Sequence, residues 1–296
     1  MTTVDLREGD NLAIGRALVD EGRRCDLIYV DPPFGVGTTH GARTRKGEAR
    51  AERSSIAYDD AWEGIDAFLA ALRPRVALFR ELLSERGTLY VHLDHRAVHE
   101  TKVLCDEVFG RGMFRGEIIW VPGNGARSRK SWGATHQTIL VYTRTDDFIF
   151  HVDDLREPYA EGSAATHFKH VDAEGRRWRE RTVQLASGPK TYRYPMDRGR
   201  RLGTVWTDVP AMAANTPISK ETTGYPHQKP AKLLERIIRA SSDPGSWVGD
   251  FFCGSGTTLD VARALGRNAV GCDASPLAIA TTRARLQSSE GSARST

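Results

Sequence analysis

The feature that most constrains the fold is a short apolar stretch that runs into a glycine-rich turn and then into a helical pattern. Residues 247–256 read Trp-Val-Gly-Asp-Phe-Phe-Cys-Gly-Ser-Gly, and helical spacing of apolar residues follows from about Thr257 to Leu265. The two glycines allow a tight turn and a close approach of other atoms to the backbone. The segment therefore predicts a buried strand, a turn and a helix, which together form the repeating unit of an α/β domain.

Strands and helices alternate along most of the remaining chain. Predicted strands cover residues 26–31, 87–94, 117–121, 138–143 and 268–273. Predicted helices cover residues 65–86, 97–108 and about 229–238, and a last helix begins at Pro276 with Ser275 as its cap. Pro74 is a candidate break in the first of these helices. This alternation predicts a doubly wound α/β domain.

Two segments lack this regularity. Residues 35–60 are rich in Gly, Arg, Thr and Ser, and we interpret them as a long mobile loop. Residues 145–224 mix Arg, Gly, Pro and aromatic residues without a strong period, which is typical of an irregular β-rich insertion. Basic residues crowd both segments and also the short stretch 127–130.

Composition excludes several classes of protein. The net charge of +4 over 296 residues is only mildly basic, so it permits a nucleic-acid partner without requiring one. The four cysteines form no CxxC pair, which favours a reduced, cytoplasmic protein. The polar N-terminus is unlike a signal peptide, and no apolar stretch is long enough to predict a membrane span.

Asp31, Pro32, Pro33 and Phe34 follow the first predicted strand. Two prolines fix the backbone and remove two N–H donors, so the carboxylate and a nearby carbonyl form a two-acceptor site. Such a site suits an exocyclic amino group with two hydrogens, and Phe34 adds a flat face on which a base can stack. Taken alone, the four residues fit a surface turn equally well.

The glycine turn has the chemistry of a cofactor loop. The N-terminus of the following helix offers N–H groups to a pyrophosphate or a carboxylate, and Asp273 ends the next strand, where an acid can bind ribose hydroxyls. Leu259 stands where a dinucleotide fingerprint would have its third glycine, and no phosphate-binding P-loop motif is present. By itself, the turn fits any nucleotide-like cofactor or a tight turn without a ligand.

Taken together, these motifs resemble the β-class of amino-methylating DNA methyltransferases. Asp31–Phe34 match the catalytic Asp-Pro-Pro-Tyr/Phe motif of that family, and Phe252–Gly256 match its Phe-x-Gly-x-Gly cofactor motif. Other segments fall in the family's order, namely Gly87–Asp94, Thr138–Tyr142 and Tyr225–Leu234. His227 departs from the pattern, because the family usually has Thr there. The resemblance covers nearly the whole chain apart from residues 145–215.

The resemblance implies a Rossmann-like fold with a doubly wound, mixed seven-stranded sheet, circularly permuted so that the cofactor half comes last. It implies a catalytic half at residues 1–144, a target-recognition region at 145–222, a cofactor-binding half at 223–287 and a disordered tail at 288–296.

The implied reaction is methyl transfer from S-adenosylmethionine directly to the exocyclic amino group of a flipped base. Asp31 favours adenine N6, while cytosine N4 is the alternative, because that subgroup more often carries Ser before the two prolines. RNA and protein-glutamine methyltransferases usually carry Asn at that position and place the cofactor loop first, so both are disfavoured. Intact Asp31, Gly254 and Gly256 argue against a non-catalytic DNA-binding module.

The resemblance assigns roles residue by residue. The expected catalytic residues are Asp31, Pro32, Pro33 and Phe34. The expected cofactor-binding residues are Asp31, Lys229, Pro230, Phe252, Cys253, Gly254, Ser255, Gly256, Thr257, Thr258 and Asp273. The expected DNA-binding residues are Arg43, Arg45, Lys46, Arg127, Arg129, Lys130, Arg176, Arg177, Arg179 and Arg181.

The expected partner is double-stranded DNA, and a second copy of the chain and a separate restriction endonuclease are further candidates. No membrane partner is expected. His95 and His99 have the i, i+4 spacing of a zinc pair, but the sequence offers no third ligand beside them, so no metal is expected.

Overall fold

The chain forms two compact units in the computed structural model. One unit comprises residues 1–150 and 204–296, and the other comprises residues 151–203. The residues described are 2–33, 36–41, 56–61, 64–123, 129–212 and 221–293.

The strands and helices have the following bounds. The strands are β1 (Val4–Glu8), β2 (Cys25–Val30), β3 (Val36–Gly41), β4 (Ile56–Ala61), β5 (Leu83–Leu93), β6 (Phe114–Trp120), β7 (Gln137–Thr143), β8 (Arg156–Glu157), β9 (His170–Val171), β10 (Arg177–Leu185), β11 (Gly188–Pro195), β12 (Arg200–Arg201), β13 (Val205–Trp206), β14 (Trp247–Asp250) and β15 (Asn268–Asp273). The helices are α1 (Asn11–Asp20), α2 (Ile65–Leu82), α3 (Val98–Phe109), α4 (Glu161–His167), α5 (Ala231–Ser241), α6 (Thr257–Ala264) and α7 (Pro276–Ala293).

A mixed sheet forms the centre of the larger unit. Within the described part of the chain it has eight strands in the order β1-β15-β14-β2-β5-β7-β6-β13. Only β7 runs antiparallel to its neighbours β5 and β6. The permuted mixed fold is confirmed, but the count of seven strands was one too low. The eighth strand is β13, which adds to the exposed edge of β6 through short bonds such as that from Ile119 N–H to the Thr204 carbonyl, at 2.7 Å.

Helices cover both faces of this sheet, because the strand side chains alternate. Ile28 and Val30 of β2 pack in a core with α1, α2 and α3, whereas Leu27 and Tyr29 pack in a second core with α5, α6 and α7. The same alternation continues in β5, β7 and β15. Apolar burial on both faces is what makes these strands nearly continuous apolar runs in the sequence.

The structure differs from the sequence-based prediction in helix α2 and in the segment that precedes it. Helix α2 ends at Leu82, and residues 83–86 belong to β5 instead. Pro74 lies inside α2 and does not divide it, because buried residues on both sides, including Leu72 and Val76, hold the helix against the core. The segment expected to be a loop contains β3 and β4, which pair as an antiparallel hairpin.

The smaller unit is built on hairpins. Strands β10 and β11 pair antiparallel over their length, and β9 pairs with the start of β10. Trp178 lies between the His170 ring, stacked at 4.3 Å, and the Arg193 guanidinium, 3.4 Å from its ring centre. These contacts pack the exposed His170 and Arg193 side chains against the partly buried Trp178 ring.

Helix α7 runs through Ala293, into the segment 288–296 that the sequence predicts as a tail. Among the described residues, none of the helices combines the length and apolarity needed to cross a membrane.

Candidate active site

The two motifs meet at one edge of the large sheet. Strands β2 and β14 are parallel neighbours, with Leu27 opposite Val248 and Ile28 opposite Gly249. Since both strands end at the same edge, the residues that follow them lie side by side. Asp31 and Gly254 consequently line a single cavity of about 310 Å³.

Asp31 is held by a cation from a distant part of the chain. Its Oδ2 accepts a hydrogen bond of 2.6 Å from Lys229 Nζ, and the Lys229 side chain is only 10% exposed. The other oxygen, Oδ1, is buried and has no hydrogen-bond partner among the described residues. A buried carboxylate oxygen without a donor is costly, so this atom is suited to accept a donor from a ligand.

The prolines of the first motif shape the wall beside Asp31. Pro32 is buried, and both Pro32 and Pro33 line this cavity and a second one. Phe34 lies outside the described residues.

The glycine turn requires its glycines. Gly254 and Gly256 have φ angles of 49° and 74°, in the left-handed region. A Cβ on Gly256 would lie 2.6 Å from the Thr282 side chain, and one on Gly254 would lie 3.2 Å from the Tyr225 ring. Gly256 is the N-cap of α6, so the turn delivers the N-terminus of that helix to the cavity edge.

Asp273, the last residue of the neighbouring strand β15, stabilises the turn through its carboxylate. Its Oδ2 accepts from the Gly254 N–H at 3.0 Å, and its Oδ1 accepts from the Ser275 N–H at 2.9 Å. Burial raises the pKa of Asp273, while these two backbone bonds oppose the rise. Each carboxylate oxygen retains a lone pair, so Asp273 can also accept hydrogen bonds from a ligand.

A second cavity of about 460 Å³ adjoins the first. Phe252 and Asp273 line both cavities, and Asp10, Phe68 and Pro276 line the second. One cavity is rich in charged and polar groups, and the other has a largely apolar wall. The pair suits an elongated ligand with a charged end and a flat apolar end.

Asp250 is a buried acid on the floor of the first cavity. Burial raises its pKa to about 7, hydrogen bonds from Thr258 and the Phe252 N–H lower it, and the nearby Asp31 and Asp273 add to the rise. Asp250 lies in the predicted turn motif but is not among the predicted site residues. Its signal was available, because an acid at the end of a mostly buried strand is a candidate functional group.

Tyr29, His92 and Gln137 form a buried hydrogen-bond chain beneath the cavity. The Tyr29 hydroxyl lies 2.7 Å from His92 Nδ1, and His92 Nε2 lies 2.8 Å from Gln137 Oε1. Burial lowers the pKa of His92 to about 3, so the ring is neutral. Tyr29 and Gln137 line the cavity, and neither is among the predicted site residues.

The remaining residues of the turn are packed around the backbone. Ser255 Oγ lies 3.1 Å from Thr257 Oγ1, and the Ser255 carbonyl accepts from Arg285 Nε at 2.7 Å. Cys253 is buried and lines the cavity with Thr257 and Thr258. Pro230 caps α5 directly after Lys229, so the helix start sets the position of that lysine.

Comparison with known proteins identifies the family. Residues 25–283 match the N6_N4_Mtase family, described as DNA methylase. The chain belongs to this family of DNA methyltransferases. It is 30% identical to the type II methyltransferase M.EcaI of Enterobacter cloacae, over 94% of this chain and 68% of that protein. It is 27% identical to the DNA adenine methyltransferase YhdJ of Escherichia coli K12, over 90% and 76% of the two chains.

The fold agrees with this assignment. The solved complex of M1.HpyAVI with S-adenosylmethionine aligns with a TM-score of 0.58 and 17% identity, over 96% of this chain and 99% of that one. DNA methyltransferases of the N6_N4_Mtase family use S-adenosylmethionine as methyl donor. The paired cavities fit that donor: a cation at Lys229, the N-terminus of α6 at Thr257 and Thr258, an acid at Asp273 and an apolar wall at Pro276.

His227, where this DNA methyltransferase departs from the family pattern, lies at the cavity. It has a φ of 55°, the only positive value for a residue other than glycine in the described parts of the chain. A side chain in this region of backbone space costs energy, and such strain is usually found near functional sites.

The basic residues expected to bind DNA divide into distinct groups. Arg43, Arg45, Lys46 and Arg127 lie outside the described residues, whereas Arg129 and Lys130 are exposed. Within the smaller unit, Arg177 and Arg181 are exposed.

Two further arginines of that unit are engaged within it. Arg176 forms ion pairs with Asp172 and Glu174. Arg179 is partly buried, and its guanidinium lies 5.4–5.9 Å from the centres of three aromatic rings. Arg179 is therefore placed to hold the unit together.

Proposed function

We propose that this DNA methyltransferase transfers the methyl group of S-adenosylmethionine to the exocyclic N6 of an adenine flipped out of double-stranded DNA. The observation that carries the proposal is the buried, unpartnered Oδ1 of Asp31, in the same cavity as the glycine turn. An aspartate before the two prolines favours adenine over cytosine N4. The adenine specificity of its relative YhdJ, a DNA adenine methyltransferase, points the same way.

Asp31 prepares the amino group in this proposal. Its Oδ1 and the Pro32 carbonyl accept the two amino hydrogens, which leaves the nitrogen lone pair directed at the methyl group. Lys229 holds Oδ2 and so keeps the carboxylate orientation. The nitrogen becomes cationic as it gains the methyl group, and Asp31 Oδ1 is the nearest proposed acceptor for the proton that must leave.

S-adenosylmethionine supplies an activated methyl group on a sulfonium. Asp273 would accept hydrogen bonds from its ribose, and Lys229 and the N–H groups at the N-terminus of α6 would hold its carboxylate. The other proposed contacts are Asp31, Pro230, Phe252, Cys253, Ser255, Thr257 and Thr258.

Residues 145–222 are the proposed target-recognition region, between a catalytic half at 1–144 and a cofactor half at 223–287. Arg177, Arg181, Arg129 and Lys130 are exposed and are the best placed of the described candidates to contact phosphates. A second copy of the chain and a separate restriction endonuclease are proposed partners. We also propose a cytoplasmic location, because the proposed substrate is DNA.

The test is transfer of tritiated methyl groups from S-adenosylmethionine to unmethylated DNA, RNA and protein, followed by nucleoside analysis and sequencing of the modified sites. We expect N6-methyladenine in DNA with the wild type and no transfer with Asp31→Ala. N4-methylcytosine as the only product would overturn the adenine assignment, and transfer to RNA or protein alone would overturn the proposal as a whole.

A further inference from the structure

The buried chain of Tyr29, His92 and Gln137 has a defined direction. Tyr29 is 2% exposed, and among the described residues its hydroxyl has no acceptor other than His92 Nδ1, so it donates to that nitrogen. A neutral imidazole carries one proton, which therefore sits on Nε2 and is donated to Gln137 Oε1. The opposite direction would leave the Tyr29 hydroxyl proton buried without an acceptor, at a cost of about 1–3 kcal/mol.

This direction fixes the side-chain amide of Gln137. The amide oxygen accepts the hydrogen bond from His92, so the NH₂ group must point away from His92. That NH₂ group has no partner among the described residues. Gln137 lines the same cavity as Asp31, whose buried Oδ1 has no hydrogen-bond partner among the described residues. The cavity thus combines one unpartnered acceptor on Asp31 with one unpartnered amide donor on Gln137.

We propose that Gln137 donates a hydrogen bond to the ring nitrogen next to the reactive amino group of the flipped base, and that His92 and Tyr29 hold it in that orientation. This inference rests on the proposed function and names the feature of the base that the site recognises. Adenine presents the amino group beside N1, and cytosine presents it beside N3; both nitrogens are acceptors. Asp31 and Gln137 complement this donor–acceptor pair.

The same pair rejects the other two bases. Guanine and thymine present a carbonyl oxygen beside a ring N–H, so acceptor would face acceptor at Asp31 and donor would face donor at Gln137. Turning the Gln137 amide to suit them breaks its bond to His92 and leaves the buried chain unsatisfied. Two other polar side chains at the cavity are already engaged: Arg96 pairs with Asp94 at 2.6 Å, and the Gln228 amide donates to the Glu221 carbonyl at 2.8 Å.

A double-mutant cycle between the protein and the base tests the inference. Methylation rates are measured for wild type and Gln137→Ala on duplexes that carry adenine or 1-deazaadenine at the mapped target position. The analogue retains the amino group but has C–H in place of N1. For each protein, the rate on adenine is divided by the rate on the analogue. If the hydrogen bond exists, this ratio is about 10-fold larger for the wild type than for Gln137→Ala, because the variant has already lost the donor. Equal sensitivity of both proteins to the analogue would overturn the inference.

Further variants separate a positioning role from a loss of folding. We expect Gln137→Glu, which replaces the donor by an acceptor, to slow methylation by at least about 100-fold. Gln287→Ala, an exposed glutamine on α7, is the matched control and should leave the rate unchanged. Titration with S-adenosylhomocysteine should give the same affinity for all of these proteins. A Gln137→Glu protein that binds it normally and methylates at the wild-type rate would also contradict the inference.

A failure of the role of Gln137 can be told apart from a failure of the proposed function. If the mapped product is N4-methylcytosine, the adenine assignment fails, and the same cycle is run with 3-deazacytosine, which lacks N3. If the wild type methylates adenine but the cycle shows no coupling, the role of Gln137 fails alone.

Discussion

At the scale of single residues, the site depends on a few buried charges. Lys229 and Asp31 form a nearly buried pair in which only one carboxylate oxygen is used. Removing one partner of such a pair leaves the other charge buried and unpaired. The resulting loss of stability is larger than the net stabilisation that the intact pair provides. The pair therefore links the proposed catalytic acid to the proposed carboxylate site of the cofactor.

Asp31→Ala should abolish turnover and retain cofactor binding. The variant frees Lys229 for the carboxylate of S-adenosylhomocysteine, so the affinity should be unchanged or higher, while methylation falls by more than about 100-fold. Calorimetric titration with S-adenosylhomocysteine measures the first effect, with Gly254→Val as the comparison, which should lose affinity. An equal loss of affinity in both variants would contradict this division of roles.

Asp250 should make the stability of the protein depend on pH. Its pKa is raised from 3.8 to about 7 in the folded state, so folding takes up a proton between these values. The contribution of Asp250 to stability is then greatest at low pH and falls as the pH rises through this window, by up to about 4 kcal/mol.

Asp250→Asn lacks this titration but retains an oxygen for the Phe252 N–H, which now bonds to Oδ1 at 3.1 Å. The variant should therefore gain stability relative to the wild type as the pH rises from about 4 to about 7 and keep a constant advantage above that. Denaturant unfolding of both proteins across this range checks the sign. A pH-independent difference would show that Asp250 does not titrate in this way.

At the scale of elements, the glycine turn between β14 and α6 is the part that tolerates least change. Its geometry combines a positive φ at Gly256 with close packing against Thr282 of α7. Its local signal is strong because only glycine meets both demands without cost. The turn, the strand before it and the helix after it could therefore be predicted from the sequence.

Gly256→Ala should lower both stability and cofactor affinity. The methyl group would meet the Thr282 side chain at 2.6 Å, and the positive φ adds about 1–2 kcal/mol of strain. Thr282→Ala removes the two side-chain atoms at 2.6 Å and leaves its Cβ at 2.9 Å, so the double variant should recover part of the stability and keep the backbone strain. Thermal unfolding of the single and double variants measures this, and no recovery at all would argue against the steric explanation.

The sequence-based prediction was weakest for elements whose signal is partial. No element was assigned before Cys25, yet β1 extends the sheet beside β15, and its residues are only partly buried. The end of α2 was misplaced because residues 83–86 have no clear period and join β5 through pairing with Cys25. In both cases pairing with a distant strand decides the structure.

At the scale of the whole molecule, the arginines of the smaller unit have different roles despite similar sequence surroundings. Arg179 lies against the rings of Tyr159, Phe168 and Tyr194, whereas Arg177 and Arg181 are exposed. Composition alone treats these arginines alike, because a basic cluster in a sequence carries no information about which side chains face inwards.

DNA binding should weaken steeply with salt, and single arginines should contribute unequally. Arg181→Ala is expected to lower the slope of log K against log salt by about one, as for one lost phosphate contact. Arg179→Ala should instead lower the unfolding temperature. Fluorescence anisotropy with duplex DNA at several salt concentrations tests the first effect and thermal unfolding the second. A salt slope unchanged in Arg181→Ala would remove that residue from the interface.

The sequence by itself determined the chemistry of each strand end. The Asp-Pro-Pro-Phe segment, the two glycines and the order of the motifs are local features, and local backbone demands dictate which residue types can occupy them. The family and the α/β fold followed from these features, and both are confirmed.

Only the tertiary structure decided which side chains meet those strand ends. Lys229 reaches Asp31 across 198 positions of sequence, because α5 begins beside the sheet edge at which β2 ends. Gln137 enters the cavity because β7 runs antiparallel to β5, so that its first residue lies where β5 finishes. Both contacts depend on sheet order and strand direction, which are set by the packing of the whole chain and leave no signal in the local sequence.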